Sequence, residues 1–160
     1  MNLREFQIAS KRTMASLGSV QLDLIHCVLG MTSELAELID AVQQNDDINC
    51  QEECVDILFY LVNYATSVDL DVQLILETKN SEKAKDAYVL IENISNLSDL
   101  IKKNLAYNKE INKEKEFEYL CKIYFCIEEL FEDYGFNLEK ALQNNVDKLL
   151  VRYPLAEGFS

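Results

Sequence analysis

The chain has 160 residues, 49% of them hydrophobic, and a formal net charge of −13. That acidity excludes the usual way of binding duplex DNA, RNA or an anionic membrane, which depends on neutralising phosphates with Lys and Arg. One Pro and four Gly among many Leu, Ile, Glu, Lys and Asn predict an all-α fold with short connections.

In chain order, a short helix over 3–15 runs into a turn around Gly18, and a long helix covers 21–44. After a loop at 45–49 comes a helix over 50–67, then a corner at 68–71 leading to a helix that reaches the polar stretch 78–86. There the order restarts, with helices over 88–105, 114–133 and 137–151 and Gly135 separating the last two. Apolar runs are too short and too interrupted by acids to cross a bilayer, and no signal-peptide apolar region opens the chain. The expectation is one soluble, cytoplasmic, all-α domain over 1–160. The five cysteines (Cys27, Cys50, Cys54, Cys121 and Cys126) are odd in number, mostly in apolar helical contexts and without a CxxC pair, which predicts reduced core thiols.

The strongest chemical signal lies in two acid pairs, Glu34 with Glu37 in SELAELIDAV and Glu53 with Asp56 in EECVDILFYLV. Each pair is spaced i, i+3, so both members point to the same side of a helix about one turn apart. Such pairs also occur on solvated helix faces. Here they sit in apolar surroundings, among Leu35, Ala36, Leu38 and Ile39 in one case and Val55, Ile57, Leu58 and Phe59 in the other. A buried carboxylate without a partner is costly, and few basic residues are near in sequence. Four hard oxygen donors without accompanying Cys or His ligands predict a magnesium site, with manganese as the alternative.

Residues 1–80 hold four Lys or Arg and residues 81–160 hold eleven. This asymmetry coincides with an internal similarity. Ser33–Asp40 aligns with Ser95–Lys102, and 56–70 aligns with 122–136, giving an acidic repeat over 1–80 and a degenerate, more basic repeat over 86–160. In that alignment Glu34 and Glu37 face Asn96 and Asp99, while Glu53 and Asp56 face Tyr119 and Lys122. Chance similarity between two Leu/Ile-rich hairpins is the competing explanation.

Glu34-x-x-Glu37, fifteen intervening residues and Glu53-x-x-Asp56 resemble the ExxE…ExxD signature of the MazG-like, all-α nucleoside triphosphate pyrophosphohydrolases, a superfamily that includes the dimeric dUTPases. Asp23–Gly30 upstream and the ending Asn145-Val-Asp-Lys148-Leu-Leu-Val-Arg152-Tyr153-Pro154 extend the similarity. The resemblance implies a MazG-like helix bundle that converts a nucleoside triphosphate, canonical or not, to its monophosphate and pyrophosphate; dUTP and dCTP are among the candidates. It implies magnesium on Glu34, Glu37, Glu53 and Asp56, with Glu37 or Glu53 as the base. It further implies phosphate contacts from Lys148 and Arg152, and substrate contacts from His26, Asn145 and Tyr153.

The chain departs from simple members in the long insertion between the acidic helices and this ending. Within the insertion, Lys102, Lys103 and Lys109 resemble a basic segment that many members carry just after ExxE. Since members work as dimers or tetramers, the resemblance implies a fused pseudo-dimer with one complementary site, and a homodimer of the chain as a further arrangement. A decayed scaffold that binds a nucleotide or protein without turnover is the alternative. Several residues keep a second reading: Lys148 as a helix-dipole partner, Asn145 as a cap, His26 as a packed residue, Asp40 as solvated surface and not an extension of the acidic face, and Tyr60, Tyr64 and Tyr107 as core and not stacked on a base.

Overall fold

The structure is a computed structural model that describes residues 1–79 and 86–156. Among these residues there are seven helices and no strand: α1 (Leu3–Ser10), α2 (Val20–Gln43), α3 (Asp47–Ser67), α4 (Gln73–Leu76), α5 (Ala87–Tyr107), α6 (Lys113–Tyr134) and α7 (Leu138–Arg152). The all-α expectation holds, and the long helices fall within a few residues of their predicted spans. The first helix stops at Ser10, because residues 11–19 form an irregular connection. The helix expected after the corner at 68–71 is the single turn α4, and most of the polar stretch beyond it lies outside the described residues. No described helix is long and apolar enough to cross a membrane.

The α2–α3 hairpin is set by local chemistry. Ser19 caps α2 by accepting from the Leu22 N–H at 3.2 Å. Buried Leu24, Cys27, Val28, Met31, Leu35 and Leu38 then mark one stripe at helical spacing. At the far end Asn45 turns left-handed (φ 54°), and the Asp46 N–H closes onto the Ala41 carbonyl at 2.9 Å, which stops the helix and satisfies a terminal carbonyl. Asp46 immediately caps α3 through the Asn49 N–H. The chain therefore reverses within three residues.

α3 is the hub. Ile57, Leu58, Leu61, Val62, Tyr64 and Ala65 are fully buried, and the helix touches α1, α2, α6 and α7. The second hairpin, α5–α6, packs α5 on α2 and α6 on α3. Its helix ends repeat the chemistry of the first hairpin at an offset of 66 positions. Asp69 and Gly135 both take left-handed conformations, and the next N–H in each case bonds a carbonyl five residues back at 2.8 Å, Leu70 to Ala65 and Phe136 to Phe131. Asp46 and Asn112 cap the corresponding helices. From α1, buried Gln7 donates to the Leu70 carbonyl (2.8 Å) and accepts from the Val72 N–H (3.1 Å), fastening the corner after α3.

All five cysteines are buried and free. Burial pushes the Cys27 and Cys126 thiols up to about 12 and that of Cys121 up to about 11, so these are packed thiols and not nucleophiles.

One buried polar tie joins the hairpins. The Tyr64 hydroxyl donates to Glu116 Oε2 at 2.7 Å, and Lys113 Nζ reaches Glu116 Oε1 at 3.2 Å. Burial, followed by the Glu116 charge, raises the Tyr64 phenol far above its usual value. Replacing Tyr64 with Phe removes a donor from a buried carboxylate, so Tyr64→Phe is expected to lower stability by about 1–3 kcal/mol in urea unfolding. An unchanged urea midpoint would show that the tie does not support the fold.

Candidate metal centre and adjoining cavity

The hairpin places the acids by arithmetic. Glu37 lies six residues before the end of α2 and Glu53 six residues after the start of α3, so an antiparallel pair with a short turn brings them level. Glu34 and Asp56 lie nine residues from the same two ends. One carboxylate oxygen from each of Glu34, Glu37 and Glu53 falls within 4.8 Å of the others, with Glu34 and Glu53 half-buried and Glu37 exposed.

This crowding shows in the proton affinities. Burial is the main cause that pushes the Glu53 carboxyl up to about 9, reinforced by hydrogen bonding with Glu34 and Glu37 and by their charges. Glu34 is also raised, again mainly by burial, while its hydrogen bond with Glu53 pulls the other way. Glu53 Oε2 is buried without a hydrogen-bond partner. A divalent cation with a preference for oxygen would relieve the crowding of all three carboxylates at once, so the donor set fits magnesium or manganese.

Asp56 faces elsewhere. It accepts from Asn145 Nδ2 at 2.8 Å. Burial raises its carboxyl, opposed by the Lys148 charge and the Asn145 hydrogen bond. Asn145 is only 8% exposed, and its Oδ1 has no partner. Lys148 Nζ stands 3.8 Å from Glu52 Oε2.

Beside the acids opens a cavity of about 310 Å³, walled by His26 and Glu34 from α2, by Asp56, Phe59 and Tyr60 from α3, by Thr13, Met14 and Ala15 from the α1–α2 connection, and by Leu149, Arg152 and Tyr153. Gly30 makes room for the Tyr60 ring, since a methyl group at residue 30 would overlap it. His26 lies edge-on to Tyr60 with ring centroids 5.9 Å apart, and its Nδ1 is buried without a partner. Burial and the charges of Glu34 and Asp56 raise the Tyr60 phenol. A second hollow, about 390 Å³, lies against Glu37 and Glu53 and is lined by Asp40, Asp46 and Asn49 without any basic residue.

Glu34, Asp56, His26, Arg152 and Tyr153 thus share the first cavity, Glu37 and Glu53 line the second, and Asn145 and Lys148 line a third, of about 440 Å³, together with Glu52. Lys102, Lys103 and Lys109 do not join them. Lys102 and Lys103 both pair with Asp99, at 3.0 and 2.8 Å, on the exposed face of α5. Lys109 is in the α5–α6 turn, where its carbonyl accepts from Asn104 Nδ2. Asn104 Oδ1 accepts from Gln21 Nε2, which puts this end of α5 beside the start of α2. Glu34 is thirteen residues farther along α2, about 20 Å at the helical rise. Of the tyrosines, Tyr64 is core and Tyr107 is exposed, whereas Tyr60 lines the cavity. Nothing in the sequence marks Thr13, Met14, Ala15 or Phe59 as site residues. The three connection residues carry no periodic signal, and Phe59 lies in a helix that is apolar nearly all round.

Residues 24–86 match the family model described as the MazG nucleotide pyrophosphohydrolase domain. No curated protein and no solved structure matches the chain. Residues 24–86, the segment that carries all four acids, are thus similar to a nucleotide pyrophosphohydrolase domain of the MazG type.

Proposed function

We propose that the protein hydrolyses a nucleoside triphosphate to the monophosphate and pyrophosphate in a magnesium-dependent reaction, with manganese as a substitute. The observation that carries this reading is the trio of crowded carboxylates, with an orphaned Glu53 oxygen, beside a cavity that combines aromatic rings with Arg152. The substrate class comprises ribo- and deoxyribonucleotides, with dUTP, dCTP and noncanonical nucleotides as the candidates.

Magnesium held by Glu34, Glu37 and Glu53 would neutralise triphosphate oxygens and acidify an attacking water. The protein's own groups do the rest. Arg152 and Lys148 pair with phosphate oxygens, Arg through its fork and Lys as a point charge. Asn145 holds Asp56 in place beside them. Glu37 or Glu53 takes the proton of the water that attacks the α-phosphorus, the α–β anhydride breaks, and pyrophosphate leaves. The aromatic walls His26 and Tyr60 hold the nucleoside.

Pyrophosphate release is the direct test, measured across ribo- and deoxyribonucleoside triphosphates, dUTP included, with magnesium or EDTA. The expected result is release that EDTA abolishes and that Glu53→Gln lowers by about 100-fold or more. A folded wild type that releases none from any nucleotide would sink the reaction and favour a binding or regulatory protein.

Metal binding can be read without turnover. Magnesium or manganese should raise the wild-type melting temperature, because a ligand that binds only the folded state stabilises it. The same ions should leave Glu34→Gln/Glu53→Gln unchanged. Without metal, this double variant should melt no lower than the wild type, since it lacks the carboxylate crowding.

Gly30→Ala separates pocket shape from stability. Alanine favours the helix by up to about 1 kcal/mol, yet its methyl displaces the Tyr60 ring, so KM should rise while the melting temperature is kept. An unaltered KM would remove Tyr60 from the substrate site.

A further inference from the structure

The connection between α1 and α2 has no helix of its own, yet it is fastened at both ends. At its start, Arg12 reaches beyond the end of α7, where Nη1 donates to the carbonyl oxygens of Tyr153 and Ala156. At its end, Asp23, only 6% exposed, accepts from the Leu17 N–H at 2.7 Å and from Ser16 Oγ at 3.3 Å. The stretch between these anchors includes Met14, 2% exposed, and forms one wall of the cavity.

The carbonyl groups that follow a helix end have no intrahelical donor and carry partial negative charge, so a guanidinium there is doubly favourable. Tyr153 has already left helical geometry (φ −131°, ψ 67°), while its N–H still bonds the Leu149 carbonyl at 2.9 Å. The path of the chain past Arg152 is thus fixed by whatever holds the next carbonyls. The Ala156 N–H reaches the Tyr153 carbonyl at 3.3 Å, closing a local turn, and Arg12 ties that turn to the α1–α2 connection across 141 positions of sequence.

We propose that Arg12 is a positioning residue for nucleotide binding: by holding the carbonyls of Tyr153 and Ala156, it fixes Arg152 and Tyr153 against the cavity, across from Glu34 and Asp56. The inference rests on reading that cavity as the nucleotide site. Both bonds come from one nitrogen, Nη1, so Lys, which keeps the charge on a shorter and differently shaped side chain, is a partial replacement. Arg12 itself does not line the cavity, so its effect is on how the substrate is held and not on the bond-breaking step.

The test compares the wild type with Arg12→Met, Arg12→Lys and the exposed neighbour control Lys11→Met, using the best substrate of the wild type. Arg12→Met should raise KM about tenfold with kcat within about threefold, Arg12→Lys should raise it less, and Lys11→Met should match the wild type. The magnesium-induced rise in melting temperature should survive in every variant. Trypsin cleavage after Arg152, followed by mass spectrometry, should be faster in Arg12→Met, because the scissile backbone has lost its anchor. An unchanged KM overturns the proposal, as does a fall in kcat accompanied by loss of the magnesium response, which would make Arg12 a general support of the fold. If Arg12→Met does not fold, Arg12→Lys decides by the same comparison. If the wild type hydrolyses nothing, the proposed reaction fails on its own, and equal trypsin rates at Arg152 in wild type and variant overturn the clamp.

Discussion

Three carboxylates held within 4.8 Å of one another across a tight hairpin are the constraint to which the rest of the molecule answers. At that spacing each ionised pair repels by roughly 3 kcal/mol at an effective dielectric constant of about 20, and less where Glu37 is open to water. Among the described residues no lysine or arginine forms an ion pair with any of the three. A proton shared within the trio would remove part of the repulsion, and a divalent cation would remove more of it. The remainder is opposed by structure: the left-handed turn at Asn45, the Asp46 cap, and an apolar interface that would have to open for the acids to separate.

The fourth acid shows how the site is divided. Residues three apart on a helix differ by about 60° in direction as well as one turn in height. Glu53 can therefore face α2 while Asp56, on the same helix, faces α7 and meets Asn145. Tyr60 continues the Asp56 side four residues later and borders the cavity that α7 closes with Leu149 and Arg152. One face of α3 thus gathers negative charge with α2. The adjoining face presents one acid, an aromatic wall and the basic residues of α7. A molecule with both a polyanionic and an aromatic part could engage both faces at once.

Much of this was legible because it is local. Helix spans followed from periodicity and caps, and the four acids announced themselves by spacing within apolar segments. Less legible was everything set by distant contacts. Tyr60 and Tyr64 are four residues apart on an apolar helix and look alike in sequence. Only the packing of α6, which brings Glu116 to Tyr64, and of α7, which borders the cavity at Tyr60, separates their roles. Met14 and Ala15 reach the cavity through a connection anchored by Arg12 and Asp23, with no repeating pattern to reveal it. The resemblance assigns Lys102 and Lys103 to substrate contact. Asp99, three and four residues before them on the same helix, is the nearer partner, and a local i, i+3 or i, i+4 ion pair requires no tertiary arrangement.

The second hairpin then has a physical role that needs no acids of its own. It shares the turn chemistry of the first, with Asn108 and Gly135 left-handed and Asn112 as a cap, but of Asn96, Asp99, Tyr119 and Lys122 only Asp99 is an acid, and it is paired with Lys102 and Lys103. Its helices cover α2 and α3, adding Leu90, Ile94, Leu97, Leu120, Ile123 and Ile127 to the common core. A lone hairpin would be poorly suited to hold its carboxylates together, because an isolated helix pair buries little and like charges would drive it open. Packing a second hairpin on the first raises the cost of that opening without placing any group among the acids. The Tyr64–Glu116 bond sets the register of the two, joining α3 two to three turns beyond Asp56 to the first turn of α6. The acids stay available to a cation because the forces that restrain them come from the apolar core and from α7, and not from salt bridges at the site itself.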